Sequence, residues 1–121
     1  MSFREITKRM VEDGGGVAGT IMGKDGIAIQ NYIRDGDVYD VEGVVIEYIK
    51  VLDEIRKATN ILKLGEVEEI SIKAIDMVIL FRLINADYFA ALVLEPGVNI
   101  GKGRYMLRRA VTNLREEEFS S

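Results

Sequence analysis

Val67–Leu94 reads VEEISIKAIDMVILFRLINADYFAALVL, and the fold turns on how this stretch is parsed. From Val67 to Ile75 the residues alternate. Ile70, Ile72 and Ala74 fall on one side and Glu69, Ser71 and Lys73 on the other, the period of a strand with one solvated face. Met77 to Ile84 and Tyr88 to Leu94 are almost unbroken apolar runs joined by Asn85-Ala86-Asp87. Such runs suit interior antiparallel strands covered on both faces. Three strands therefore follow one another with no helix between them, and the first of them is an edge.

Upstream, Phe3, Ile6 and Met10 recur at helical spacing, so residues 3 to 12 form a short amphipathic helix. Ser2 with Glu5 three positions on is a capping box for its start, and Asp13-Gly14-Gly15-Gly16 stops it. Val17 to Met22 and Ile27 to Ile33 are apolar, β-branched segments around Gly23-Lys24-Asp25-Gly26, a hairpin whose Asp-Gly step tolerates positive φ. Asp40 caps a long helix from about Val41 to Lys63, which Leu64-Gly65 ends with glycine at the C-cap. After Pro96-Gly97-Val98, Asn99 caps a last helix with Ile100, Leu107, Ala110, Val111 and Leu114 as its buried stripe. Glu116 to Glu118 oppose the dipole at its C-terminal end, so residues 116 to 121 are expected to fray.

The order is that of an α/β chain, an α+β sandwich in which a five-stranded antiparallel sheet lies between helices. With 121 residues it makes one domain, 1 to 121. No cysteine and no histidine is present, which removes Ser-His-Asp and Cys-His nucleophile systems and imidazole metal sites. The expectation is a non-enzyme without a cofactor. A net charge of −4 argues against a sequence-independent grip on nucleic acid. A mean hydropathy of +0.08 with no long uncharged run argues against a membrane span, and nothing at the N-terminus reads as a signal peptide. A cytoplasmic protein that binds other proteins is expected.

The long helix is broader in its apolar surface than one packing partner requires. Val41, Val45, Tyr48, Leu52, Ile55, Thr59 and Leu62 step by four and three, while Val44, Ile49, Val51 and Ala58 widen the belt beyond a ~100° stripe. Either the chain's own sheet absorbs the whole arc or a second copy covers part of it. The second reading places Val41, Val45, Tyr48, Leu52, Ile55 and Leu62 in a dimer interface. The edge strand adds Val67, Glu69, Ser71 and Lys73, because an unpaired sheet margin can be closed by its own copy across a two-fold axis.

Phe3-Arg4-Glu5-Ile6, Val17-Ala18-Gly19, Gly23-Lys24-Asp25-Gly26-Ile27-Ala28, Leu64-Gly65-Glu66 and Asn99-Ile100-Gly101 before Leu107-Arg108-Arg109-Ala110 resemble the Roadblock/dynein light-chain family along nearly the whole chain. The resemblance implies strand order 2-1-5-4-3, the long helix on one face, both terminal helices on the other, and a profilin-like sandwich. It also implies a homodimer or heterodimer built from the third strand and the long helix. Bacterial and archaeal members resemble a regulator of a Ras-like small GTPase, which makes a GTPase-activating or localising scaffold the implied function. An adaptor subunit of a larger motor or signalling assembly and a small-ligand sensor are the rival readings.

Three motifs invite a ligand and do not hold one. Gly14-x-Gly16-x-x-Gly19 leads from a helix into a strand, the reverse of a dinucleotide turn, and reads as a flexible connector. Gly97 to Gly103 is one residue short of a P-loop and has glycine where Ser or Thr belongs, so it reads as a helix entry with glycines for close packing. Asp35, Asp37 and Asp40 miss the calcium-loop pattern and serve turn and cap. On the long helix Glu47, Lys50, Glu54 and Lys57 are the candidate partner contact. Residues 97 to 115 contain five cations and no acid; the plainest reading is a solvated helix face salt-bridged to the acidic remainder, and beside it Arg108 and Arg109 are candidates for an acidic partner surface, for phosphate, or for an arginine supplied in trans.

Overall fold

A computed structural model describes residues 1–119. The elements are α1 (Phe3–Gly14), β1 (Ala18–Gly23), β2 (Ala28–Ile33), α2 (Val41–Ile61), β3 (Glu69–Lys73), β4 (Val78–Leu83), β5 (Tyr88–Leu94) and α3 (Ile100–Glu117). All strand pairs are antiparallel, in the order β2-β1-β5-β4-β3. β5 lies at the centre and β3 at an open edge. The expected profilin-like sandwich is the one observed, with α2 on one face and α1 and α3 on the other.

The unbroken apolar runs resolve into two faces. Along β5, Ala90, Leu92 and Leu94 pack with Ile6, Met10, Leu107 and Leu114 of the terminal helices. Phe89, Ala91 and Val93 pack on the other side with Val41, Val45 and Leu52 of α2. Phe81 is wholly buried there, with the Tyr48 and Phe89 rings 5.7 and 6.0 Å away. Each such aromatic pair adds roughly 1 kcal/mol beyond its buried area.

The helix ends show why particular residues are present. Ser2, Asp40 and Asn99 each accept a backbone N–H three residues on, from Glu5, Gly43 and Lys102. At the end of α1, Gly15 takes the left-handed conformation and Gly16 N–H returns to the Val11 carbonyl. The neighbouring glycines are not a flexible connector. A methyl on Gly16 would stand 2.6 Å from Leu92 Cδ1, and one on Gly19 2.8 Å from Val11 Cγ2, so both allow α1 to lie close on the sheet.

α2 ends differently from expectation, two residues earlier than Lys63. Lys63 itself is the left-handed residue, with φ 56°, while its N–H bonds to Asn60 and that of Leu64 to Thr59. Gly65 lies beyond this cap. The β3–β4 turn at Ile75-Asp76 closes through Ala74 N–H to the Met77 carbonyl without any positive φ, so no glycine is required. α3 remains helical through Glu117, and Phe119 packs against Phe3 and Tyr88, with ring centroids 5.8 and 4.9 Å away. This aromatic contact falls within the 116 to 121 segment for which the charge argument expects fraying. Ser120 and Ser121 lie outside the described residues. No described helix is long and apolar enough to cross a membrane.

Candidate interaction surfaces

α2 divides its apolar belt between two jobs. Val41, Val45 and Leu52 are buried at 2%, 0% and 6% exposure against the chain's own sheet, and Tyr48 is partly buried on Phe81. The first three have no surface left for a partner. They were expected at the dimer interface, and the correction follows from helical geometry, because the seam of residues 41, 45 and 52 is the one that points at the sheet. The open seam lies about one residue further round. Val51, Ile55, Ala58 and Leu62 step by four, three and four; Val51 and Leu62 are 48% and 66% exposed, Ala58 is exposed and Ile55 is half-buried. Ile61 and Leu64 extend this uncovered surface.

Beside that seam runs a charged row, Glu47, Lys50, Glu54 and Lys57, all exposed. Asp53 and Glu54 lie 3.2 and 3.8 Å from the Lys57 ammonium, and the hydrogen bond to Asp53 raises the Lys57 pKa. Among the described residues no opposite charge stands within ion-pair distance of Glu47 or Lys50.

The edge strand is similarly sorted. β3 bonds only to β4, so its outer row of backbone groups is unpaired. Ile70 and Ile72 turn toward α2, Val67 is half-buried just before the strand, and Ser71 and Lys73 are exposed. Glu69 is different from the interface ladder expected of it. Its carboxylate is engaged within the chain, Oε1 accepting from Arg82 at 3.4 Å and Oε2 accepting from both Nε and Nη2 of Arg104 of α3. That pairing raises the Arg104 pKa and ties α3 to the edge strand.

Arg108 and Arg109 lie on α3 and so on the sheet face opposite Glu47, Lys50, Glu54 and Lys57. The six candidate contact residues therefore form two surfaces. Arg115, a further cation of this helix, is absorbed structurally, donating to the carbonyls of Ile84 and Leu83 at 2.7 and 2.8 Å.

Sequence reasoning missed an open cleft of about 670 Å³ between the middle of α2 and the tips of the β1–β2 and β4–β5 turns. Ile49, Leu52, Leu83 and Phe89 line it, Lys24 pairs with Asp87 at its rim, and Arg56 donates to the Ala86 carbonyl. No motif marks it, because its walls come from four separate segments of the chain.

No protein-family model matches the chain, and no curated protein does. Solved structures do. MglC from Myxococcus xanthus is 36% identical over 97% of this chain and 99% of its own, with a TM-score of 0.68. The gliding protein mglB from Thermus thermophilus superposes at a TM-score of 0.85 and 11% identity, over 97% and 88% of the two chains. A Roadblock/LC7 domain from Streptomyces avermitilis gives 0.82 and 11% over 99% and 100%. An end-to-end sequence likeness to MglC, joined to a backbone that follows the Streptomyces domain over its full length, makes this chain a member of the Roadblock/LC7 family.

Proposed function

We propose that the chain is a non-enzymatic homodimeric scaffold of the cytoplasm that binds a Ras-like small GTPase and regulates it, by stimulating hydrolysis or by setting its location. The observation that carries this reading is the pairing on α2 of an uncovered apolar seam, Val51-Ile55-Ala58-Leu62, with a charged row, Glu47-Lys50-Glu54-Lys57, beside an open β3 edge. Two copies joined edge to edge at β3 would cover the apolar seams against each other. The two charged rows would then stand side by side as one composite surface, favourable to a polar switch region on a partner. Val67, Ser71 and Lys73 sit at or beside that edge and Tyr48, Ile55 and Leu62 on or beside the seam, so these keep the interface role.

Any effect on hydrolysis would come from ordering the partner's switch segments. Arg108 and Arg109 stand on the far layer, so a GTPase resting on α2 is out of their reach and an arginine in trans is not part of this reading. The test combines sedimentation with binding of a small GTPase loaded with GDP or a GTP analogue. A dimer that prefers one nucleotide state, and loses the GTPase but not the dimer in Lys50→Glu/Lys57→Glu, is expected. A pull-down that returns motor or scaffold subunits and no GTPase would replace this reading with the adaptor one.

A further inference from the structure

α3 carries its charges the wrong way round for a helix. Its first turn has no acid and carries Lys102, with Arg104, Arg108 and Arg109 beyond it, whereas Glu116 and Glu117 outnumber Arg115 at the end where the dipole favours cations. Arg104 and Arg108 also stand four residues apart, a like-charge spacing that helices disfavour. A sequence that breaks local rules at this many positions gains something elsewhere.

Arg104 and Arg115 gain partners within the chain, Glu69 and the Leu83 and Ile84 carbonyls. Arg9, Lys102, Arg108 and Arg109 do not: among the described residues no carboxylate lies within ion-pair distance of them, in a chain with 20 acids to 16 cations. The guanidinium carbons of Arg108 and Arg109 sit 5.8 and 5.9 Å from the ring centre of Tyr105, which is half exposed. The ring thus holds both arginines near one place. Arg9 of α1 and Arg109 border the same crease between the two helices. On the other side of Tyr105 a recess of about 240 Å³ opens between α3 and the β3–β4 edge, walled by Arg82, Arg104 and Arg108. Glu69 lies in it but is already saturated by Arg82 and Arg104, and the exposed Glu68 meets Arg82 at 3.4 Å.

We infer that the Arg108–Tyr105–Arg109 face of α3, with Arg9 and Lys102 at its margins, is a second docking surface that takes an acidic segment of a protein partner. Tyrosine and arginine are the residues that dominate binding energy at protein interfaces, and carboxylates complement the unpaired guanidinium groups. A long polyanion is a poorer occupant. Beyond the patch it would meet Glu5, Glu12 and Asp13 of α1 and Glu116 to Glu118 at the end of α3, all exposed. The surface lies on the layer opposite α2, so it stands whether or not α2 binds a GTPase.

The test is an NMR titration of the full chain with a short synthetic peptide of alternating glutamate and serine, its glutamine counterpart serving as control. Shifts confined to α3 around residues 101–109 and to Arg9, absent with the control and weakened by salt, are expected. Arg108→Gln/Arg109→Gln should weaken the peptide about tenfold, leaving the oligomeric state and any α2 partner untouched. Tyr105→Ala, which keeps every charge, should weaken it as well, and serves if the arginine pair alters the fold. Unchanged affinity in both variants, shifts centred elsewhere, or equal binding of the glutamine peptide overturns the proposal. So does tighter binding of inorganic phosphate or of phosphatidylserine vesicles. A sedimentation shift that Arg108→Gln/Arg109→Gln abolishes would make the occupant a second copy, and also overturns it.

Discussion

Gly14 and Gly103 meet where α1 ends and α3 begins: a methyl added to Gly103 would stand 3.5 Å from the Gly14 carbonyl oxygen, and one added to Gly14 3.6 Å from the Gly103 Cα. The two stretches that imitate nucleotide-binding loops are thus opposite sides of one helix–helix contact. Leu94 fills the remaining space, its Cδ1 only 2.9 Å from the methyl position of Gly103.

Gly103→Val forces that contact apart and should cost roughly 1–3 kcal/mol, the usual range for overfilling a packed interior. Gly101→Ala is its control. Gly101 is exposed and meets only Asn99 Oδ1 at 3.3 Å, so alanine should be neutral or stabilise by up to about 1 kcal/mol through helix propensity. Urea denaturation of the two variants checks the pair, and equal losses would remove the packing explanation.

Lys63 occupies a left-handed cap that glycine fills without steric cost. Lys63→Gly should therefore raise stability by about 1 kcal/mol, despite the greater freedom of glycine in the unfolded chain. Thermal unfolding measures it, and a drop in Tm would mean that the Lys63 side chain has an unrecognised contact.

Val45 and Val51 lie on different seams of α2, one wholly buried and one 48% exposed. Val45→Asp places an unpaired charge in the core and should unfold the chain, which circular dichroism would report. Val51→Asp should change the stability of a single subunit by less than about 0.5 kcal/mol yet convert a dimer to monomer in sedimentation. A folded dimer carrying Val51→Asp together with Leu62→Asp would refute the proposed interface.

The Tyr32 hydroxyl donates to Glu12 at 2.5 Å, and this bond to a carboxylate, aided by burial, pushes the phenol pKa up to about 12 from 10.0. The folded state holds the proton more tightly, so the stabilisation is complete below pH 10 and is lost as pH rises through about 12. Ultraviolet titration should find Tyr32 late, alongside Tyr39, whose phenol is also raised by burial, and Glu12→Gln should move only Tyr32 back toward the ordinary range. Unaltered late titration in Glu12→Gln would assign the shift to another cause.

Much of this architecture is legible in the residues. Period-two alternation marked β3 as an edge, two unbroken apolar runs marked β4 and β5 as interior, and Asp40 and Asn99 announced the starts of α2 and α3. Strand order came from family resemblance, since apolar strands do not encode their neighbours. The α2 seam was legible as a belt but not in its phase. Val44 and Val45, or Val51 and Leu52, are adjacent and equally apolar, so periodicity cannot say which of each pair meets the sheet. The ion pairs of Glu69 were illegible for a related reason. Its partners Arg82 and Arg104 are 13 and 35 residues away, and nothing local announces them.

α2 spans 21 residues, yet only Val41, Val45 and Leu52 are fully buried, two of them within its first turn and a half. Its later half is held by fewer anchors than α3, whose buried residues run from Gly103 to Leu114. Protection against amide exchange should accordingly decline toward Ile61 and recover when a partner arrives. The helix is thus a graded element, clamped at its start by the Asp40 cap with Val41 and Val45 and more loosely seated toward Ile61, the end at which the proposed second copy would add most order.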